Sequence, residues 1–507
     1  MDGVDDASAA GIAVVVADPD GGAERTVRSL LAQTVRPVSV TVVTTARSDA
    51  PRPGRGSGGP DTPVAPAVRT LRCAPEDLGP VCADAARDAR APYVTVLRGG
   101  DEALPRCLEH LSRAARDGGG GAPAGLVLCG TLVLRDDGRV DGFTLPPPAD
   151  GSRDLGDGVR LVRRELLDTD PGTVVEVTVP MLLVRRPAGS AGNRAAALEP
   201  LLRTRAVRGR VYRPPPAAPR DGSVPRLVSV VVPVRDGART LAAQLTALSR
   251  QTGAVPYEVL VVDNGSTDAT REVAERARAA LPDLRIVDAS ERPGESYARN
   301  RGIAAARGDF IAFCDADDLA GTGWLAAMAE AAKEADLVGG GLDTSVLSPA
   351  HTEEQPLPMD AQTDFLPFAR GANCGVWKDV LTAVGHWDER YRGGGEDMDL
   401  SWRVQLCGYR VRYAGDATMH YRLRDELTAL ARQKWNYGRS GAQLYAAYRH
   451  AGFRRRPGRV VAGNWCWLLL HVPDLLRSPA LRRRYVRYGA RLAGFLAGSV
   501  RWRVPYL

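Results

Sequence analysis

The sequence predicts an α/β fold built on a doubly wound, mostly parallel sheet, present twice and followed by a helical tail. Three observations predict it. Short continuous runs of β-branched residues recur, of the kind that suits a parallel strand covered on both faces. Each run alternates with a Gly-containing turn and a helix-like stretch, the pattern of strand–helix–strand units. The series then restarts at an offset of about 216 residues, the mark of an internal duplication.

In order along the chain, Ile12-Ala13-Val14-Val15-Val16 reads as the first strand. A helical stretch ending in Gln33-Thr34 follows, then a second strand at Ser39–Val43 and a third run at Ala91–Leu97. Pro/Gly-rich stretches at 46–66, 116–124 and 214–225 punctuate the chain, and Pro214-Pro215-Pro216 opens the last of them. Because proline runs stay extended and propagate neither helix nor ladder, 214–225 is taken as a linker between 1–213 and 226–507. The second half repeats the first. Val228–Val232 is a strand, a helical stretch ends in Gln251-Thr252, and strands follow at Glu258–Val262, Gly308–Cys314 and Tyr409–Tyr413. From about residue 429 the pattern becomes helical, aromatic and Arg-rich, so 226–428 is expected as one domain and 429–507 as an extension.

Composition narrows the function. With 507 residues, 44% hydrophobic and 25% charged, the chain has enough apolar surface for real cores, which excludes a disordered chain or a small disulfide scaffold. The net charge of +7 is mild, and Arg dominates it: Lys333, Lys378 and Lys434 are the only lysines. No tight basic stripe or named motif points to nucleic acid in the first 450 residues. The eight cysteines are scattered without a C-x-x-C pair and read as reduced, and the acidic N-terminus lacks an apolar leader. A cytoplasmic protein is expected.

In doubly wound sheets, ligands bind outside the carboxyl ends of the strands, so the residues just after each run carry the chemistry. Asp263-Asn264-Gly265-Ser266-Thr267-Asp268 makes a turn and a helix cap, and Asp263 could accept a hydrogen bond from a nucleobase imide. Asp315-Ala316-Asp317-Asp318 crowds three carboxylates that repel unless a cation neutralises them, as Mg2+ or Mn2+ would; an acidic helix start is the plainer alternative. Gly393-Gly394-Gly395-Glu396-Asp397 runs from a flexible loop into a helix with two carboxylates in its first turn, one of them suited to act as a general base. Asp399 and Arg403 are spaced i,i+4 and can pair on that helix. His420 is a candidate donor for Mn2+.

The ordered set Val228–Val234, Val262–Asp268, Ala298-Arg299-Asn300-Arg301-Gly302-Ile303, Asp315–Asp318 and Gly395–Arg403 resembles the family 2 glycosyltransferases of GT-A fold, over residues 226–440. The resemblance implies an inverting enzyme that moves a sugar from a nucleotide-diphosphate donor, UDP-linked first among the candidates, to a hydroxyl of a carbohydrate or lipid-linked acceptor. It implies Asp397 as catalytic base with Glu396 beside it. Pro233, Val234, Asp236, Asp263 and Arg299 would surround the nucleotide, with Asp315 and Ala316 near the ribose. Asp317 and Asp315, with His420, would hold Mn2+ or Mg2+. Arg235-Asp236 departs from the Tyr-Asn often found there, and Gln433-Lys434-Trp435 matches the Gln-x-x-Arg-Trp of processive synthases only in part. A non-catalytic sugar-nucleotide-binding scaffold of the same fold is the alternative.

Alignment of the halves places Arg98-Gly99-Gly100-Asp101 opposite the Asp315 motif, which removes both Asp-x-Asp carboxylates from the first half. At a tail offset near 200, Arg203 answers Arg403 and Ala197 answers Asp397. A catalytically dead first copy is expected. The tail, with Arg482-Arg483-Arg484, Arg487 and Arg491 among Tyr485, Tyr488 and Phe495, suits either contact with the inner face of a membrane or helices packed on the catalytic domain with solvated Arg faces.

Overall fold

A computed structural model divides the chain into two compact units, Met1–Pro215 and Pro216–Leu507. It describes the second unit from 222 to 506, apart from 254, 355, 357, 360–364 and 450–452. In the first unit it describes 12–18, 23–33, 37–45, 67–104, 107–117, 126–135, 140–144, 159–163, 174–186 and 210–212. The expected linker and the stretch at 46–66 fall largely outside the described residues, as do Ala197 and Arg203.

The first unit contains β1 (Ile12–Asp18), β2 (Ser39–Thr44), β3 (Ala67–Arg72), β4 (Tyr93–Arg98), β5 (Glu102–Ala103), β6 (Leu126–Arg135), β7 (Val140–Thr144), β8 (Val159–Arg163), β9 (Val174–Arg186) and β10 (Arg210–Tyr212). The second contains β11 (Val228–Val234), β12 (Tyr257–Asp263), β13 (Leu284–Asp288), β14 (Phe310–Cys314), β15 (Leu319–Ala320), β16 (Leu337–Asp343), β17 (Asn373–Trp377) and β18 (Val411–His420).

Both sheets obey one connection rule. In the second unit the order is β13-β12-β11-β14-β17-β16-β18-β15, and in the first β3-β2-β1-β4-β8-β6-β9-β10, with β7 on β6 and β5 on β9. The four leading strands are parallel in each, β8 and β17 run antiparallel to both neighbours, and β9 and β18 return parallel to β6 and β16. A side-chain clamp is shared as well. Gln33 Nε2 donates to Leu104 O and its Oε1 accepts from Leu108 N; Gln251 makes the same pair with Gly321 O and Leu325 N.

This matched topology corrects the tail alignment. β9, not the segment near 210, corresponds to β18, and Arg210–Tyr212 is an added edge strand on β9. Residues 164–173 are all that join β8 to β9, whereas 378–410 join β17 to β18. The first unit has no stretch in that connection long enough for a counterpart of the Gly393–Arg403 helix, so Ala197 does not stand in for Asp397.

Hydrophobic runs account for the core of the second unit. Every residue of β14 is buried, and β11 is buried at all positions but Pro233, because helices cover both faces. Helix Glu295–Ala305 lies directly on the sheet at Gly302, where a Cβ would stand 2.5 Å from a Val231 methyl. Trp324, Trp387 and Trp402 are fully enclosed, each worth roughly 1.5–3 kcal/mol of burial. Asn373 pins the antiparallel half: its amide donates to Gly341 O and Ala417 O while its Oδ1 accepts from the Trp324 indole at 2.7 Å.

Candidate functional site

The strand order reverses between β11 and β14, and a cleft of about 560 Å3 opens at the carboxyl ends of those strands. Pro233 and Val234 end β11 at its edge and Asp236 follows them, Asn264 follows β12, and Asp315, Ala316 and Asp317 follow β14; Arg239, Glu295, Arg422 and Arg424 complete much of the wall. Asp236 has a positive φ of 53° and ties the loops together. Its Oδ1 accepts from Thr267 N at 2.7 Å, and its own N–H donates to Ser266 Oγ.

Asp263 does not line the cleft. It is buried, with Oδ1 accepting from Ser266 N and Oδ2 ion-paired with Arg271. Burial opposes its ionisation, but those hydrogen bonds and the guanidinium outweigh burial and hold its carboxyl below the ordinary range. Asn264 takes the cleft position instead. It donates to Ala289 O and Arg292 O and accepts from Gly294 N, which shapes the loop entering helix Glu295–Ala305.

The acidic cluster differs from expectation by one member. Asp315, Asp317 and Asp318 offer oxygens that lie within 4.8 Å of one another, and Asp318 joins where His420 was expected. His420 Nδ1 faces Asp343 Oδ2 at 3.0 Å, because the register of β16 with β18 sets Asp343 beside His420. The three carboxylates fit a divalent cation. Burial and mutual repulsion push the carboxyls of Asp315 and Asp318 up, and Asp318 Oδ2 is a buried oxygen with no hydrogen-bond partner among the described residues. Arg424 bonds Asp317 Oδ2 at 2.8 Å, and Arg422 bonds Asp317 O with its Nε and Asp318 Oδ1 with its N–H.

One guanidinium joins this cluster to the second acidic motif. Arg299 is almost fully buried over the Trp387 ring at 4.5 Å. It lies 3.3 Å from Asp315 Oδ1 and 3.6 Å from Glu396 Oε1, and also pairs with Glu295. Gly371 leaves it room, since a Cβ there would stand 2.8 Å from Nη2. Glu396 is buried, and its carboxyl is pushed up to about 8 by burial first, then by Glu295 and Asp397. Asp397 is half-buried; burial raises its carboxyl, and the N–H groups of Met398 and Gly371 counter that rise. Gly393, Gly394 and Gly395 present these carboxylates with three successive positive φ angles of 82°, 138° and 91°. A Cβ at those positions would run into Asn436, Tyr437 and Ser440 of helix Leu427–Tyr448. Asp399 and Arg403 do pair, at 2.8 Å, and Arg403 also holds Val384 O and His386 O, so both are structural.

Arg422 and Arg424, which line the cleft, were missed from the sequence. Both sit beyond β18, where only strand pairing brings them beside Asp317.

Residues 229–378 match the family model described as Glycosyl transferase family 2, and 355–497 that described as Glycosyl transferase family group 2. Glycosyltransferase AglE of Haloferax volcanii is 32% identical over 197 residues, 37% of this chain and 64% of its own. The pre-mycofactocin glycosyltransferase of Mycobacterium tuberculosis is 30% identical over 297 residues, 55% of this chain and 60% of its own. The chain thus spans less than two thirds of either relative. The solved structure of mannosyltransferase PcManGT from Pyrobaculum calidifontis with GDP-Man and Mn2+ aligns with 56% of this chain and 90% of its own, at 20% identity and a TM-score of 0.41. Through residues 229–497, the chain belongs to the family 2 glycosyltransferases.

Proposed function

We propose that the second unit transfers a sugar from a nucleoside-diphosphate donor to an acceptor hydroxyl, with inversion at the anomeric carbon. The observation that carries the reading is Arg299, whose guanidinium lies within 3.6 Å of a carboxylate from each acidic motif and so ties the start of helix Glu396–Leu406 to the Asp315 end of the cleft. Pro233, Val234, Asp236 and Asn264 line the part of the cleft suited to the nucleoside. Asp315, Asp317 and Asp318 are the residues that would hold Mg2+ or Mn2+, which when bound supplies positive charge against the diphosphate. Arg422 and Arg424 add fixed positive charge on the same wall. Asp397 accepts the acceptor's hydroxyl proton as the new C–O bond forms; the bond to the phosphate oxygen breaks and its electron pair leaves with the nucleoside diphosphate. Glu396, protonated and buried, lies beside the base and faces the acceptor.

The acceptor is a carbohydrate or a lipid-linked hydroxyl, and a UDP-sugar is the first donor to test. The first unit is read as a copy without this chemistry, since its Arg98-Gly99-Gly100-Asp101 turn lacks paired carboxylates.

A thermal-shift screen of UDP, GDP and dTDP with Mn2+ tests the donor site. One nucleotide should raise the melting temperature, and Asp317→Ala should remove the metal-dependent part of the shift. Asp397→Asn should still bind that nucleotide while transfer falls by about 10²–10⁴-fold. Undiminished transfer would remove Asp397 as base.

A further inference from the structure

Helix Gly458–Leu470 is apolar along much of its length, yet none of its residues is buried. It leads into a corner where Leu469, Leu470 and Leu476 are 73%, 76% and 88% exposed and Val472 is exposed as well. Isolated exposed leucines are ordinary; four large apolar side chains at one helix corner are not. An aromatic group lies just behind the corner: Trp467 stacks on His471 at 4.2 Å and packs near Tyr488 and Tyr485. The Arg484 guanidinium sits over the Trp467 ring.

The chain that forms this corner is charged almost wholly in one sign. From 427 to 507 the single acidic residue is Asp474, and it is buried against Arg477. Arg454, Arg455, Arg459, Arg477, Arg482 and Arg484 are exposed around the apolar corner in sequence, with Arg491, Arg501 and Arg503 further along. No helix among the described residues is long and apolar enough to cross a membrane.

We infer that the corner formed by residues 458–488 docks on an anionic lipid surface, with Leu469, Leu470, Val472 and Leu476 entering the interface. Trp467, Tyr485 and Tyr488 would lie at headgroup level, and the exposed arginines would meet lipid phosphates. A protein partner is the less favoured occupant, because a rim in which exposed arginines far outnumber the nearby carboxylates Asp425 and Glu426 matches a sheet of anions better than a mixed protein surface. Membrane attachment here is peripheral. It does not depend on the transfer reaction, and it would place a lipid-linked acceptor and the enzyme on the same surface.

Flotation of the full chain with phosphatidylcholine vesicles, with and without phosphatidylglycerol, tests the inference. The chain should float with the anionic vesicles at low salt, stay behind with the neutral ones, and release as salt rises. Leu469→Ser/Leu470→Ser/Leu476→Ser should lose flotation about tenfold or more, since each removes an apolar anchor. Arg482→Gln/Arg484→Gln should weaken it by about fivefold for each charge removed. Both variants should keep the wild-type melting temperature. Failure of the wild-type chain to float, or undiminished flotation of the leucine variant, would overturn the inference. So would light scattering that showed these leucines holding two copies together without lipid binding.

Discussion

Arg299 is the residue on which the site's electrostatics converge. It is the cation closest to Asp315 and Glu396, and burial leaves Glu396 with too little positive charge to ionise at neutral pH. With its carboxyl raised from 4.5 to about 8, folded Glu396 keeps a proton that the unfolded chain has released. Its contribution to stability is therefore full below about pH 4.5 and is lost as pH rises through about 8. Glu396→Gln should lack that slope. Melting temperatures taken in EDTA from pH 5 to 8 should diverge, with the variant gaining on wild type as pH rises; a constant difference would rule out the titration. The acidic motifs themselves were legible in the sequence, because short spacing alone puts three aspartates on one turn. The bridge that Arg299 makes between them could not be weighed so easily. A buried guanidinium shared by two motifs is a tertiary fact, and in a chain whose basic residues are nearly all arginine no single Arg stands out.

At the level of elements, the pairing of helix Leu427–Tyr448 with helix Pro479–Trp502 sets the face that packs against Gly393–Gly395. Gly438 and Gly494 let the two backbones touch: a Cβ on Gly494 would stand 2.2 Å from Trp435 O. Gly494→Ala should cost about 1–3 kcal/mol by urea titration and lower transfer, because the displaced helix carries the Asn436–Ser440 face of the glycine loop. Gly463→Ala meets nothing within 4 Å and should be neutral or stabilising by up to about 1 kcal/mol. Equal effects of the two would remove close helix packing as the cause. The buried strands were legible because continuous β-branched runs have few other uses. His420 meets Asp343 for a reason of register. Its partner Asp343 lies far away in sequence on β16, and only the parallel ladder with β18 sets the two side by side.

For the whole molecule, the two units share a strand order but not, among the described residues, an acidic cluster. Calorimetry with the nucleotide found by thermal shift should therefore give one binding site per chain. Asp101→Asn should leave the affinity unchanged, and Asp317→Asn should weaken it in the presence of Mn2+. Two sites would show that the first unit has kept a nucleotide pocket. The repeat was legible as repeated strands, which report local backbone preference, and as repeated Gln-Thr pairs, whose glutamines clamp corresponding distant segments in both units. Its tail was not, since a difference in loop length between β8–β9 and β17–β18 shifts the offset, and that shift leaves no mark on hydrophobic pattern.

The three left-handed glycines have a temporal consequence. Synthesis proceeds from the N-terminus, so Gly393–Gly395 and the carboxylates after them leave the ribosome before Asn436, Tyr437 and Ser440 exist to pack against them. Glycine gives up more conformational freedom on ordering than any other residue, and this stretch has no side chains of its own to offset that loss. A nascent chain would thus already carry the aspartates that follow β14 while Glu396 and Asp397 still wandered, and the loop before them would settle only with helix Leu427–Tyr448.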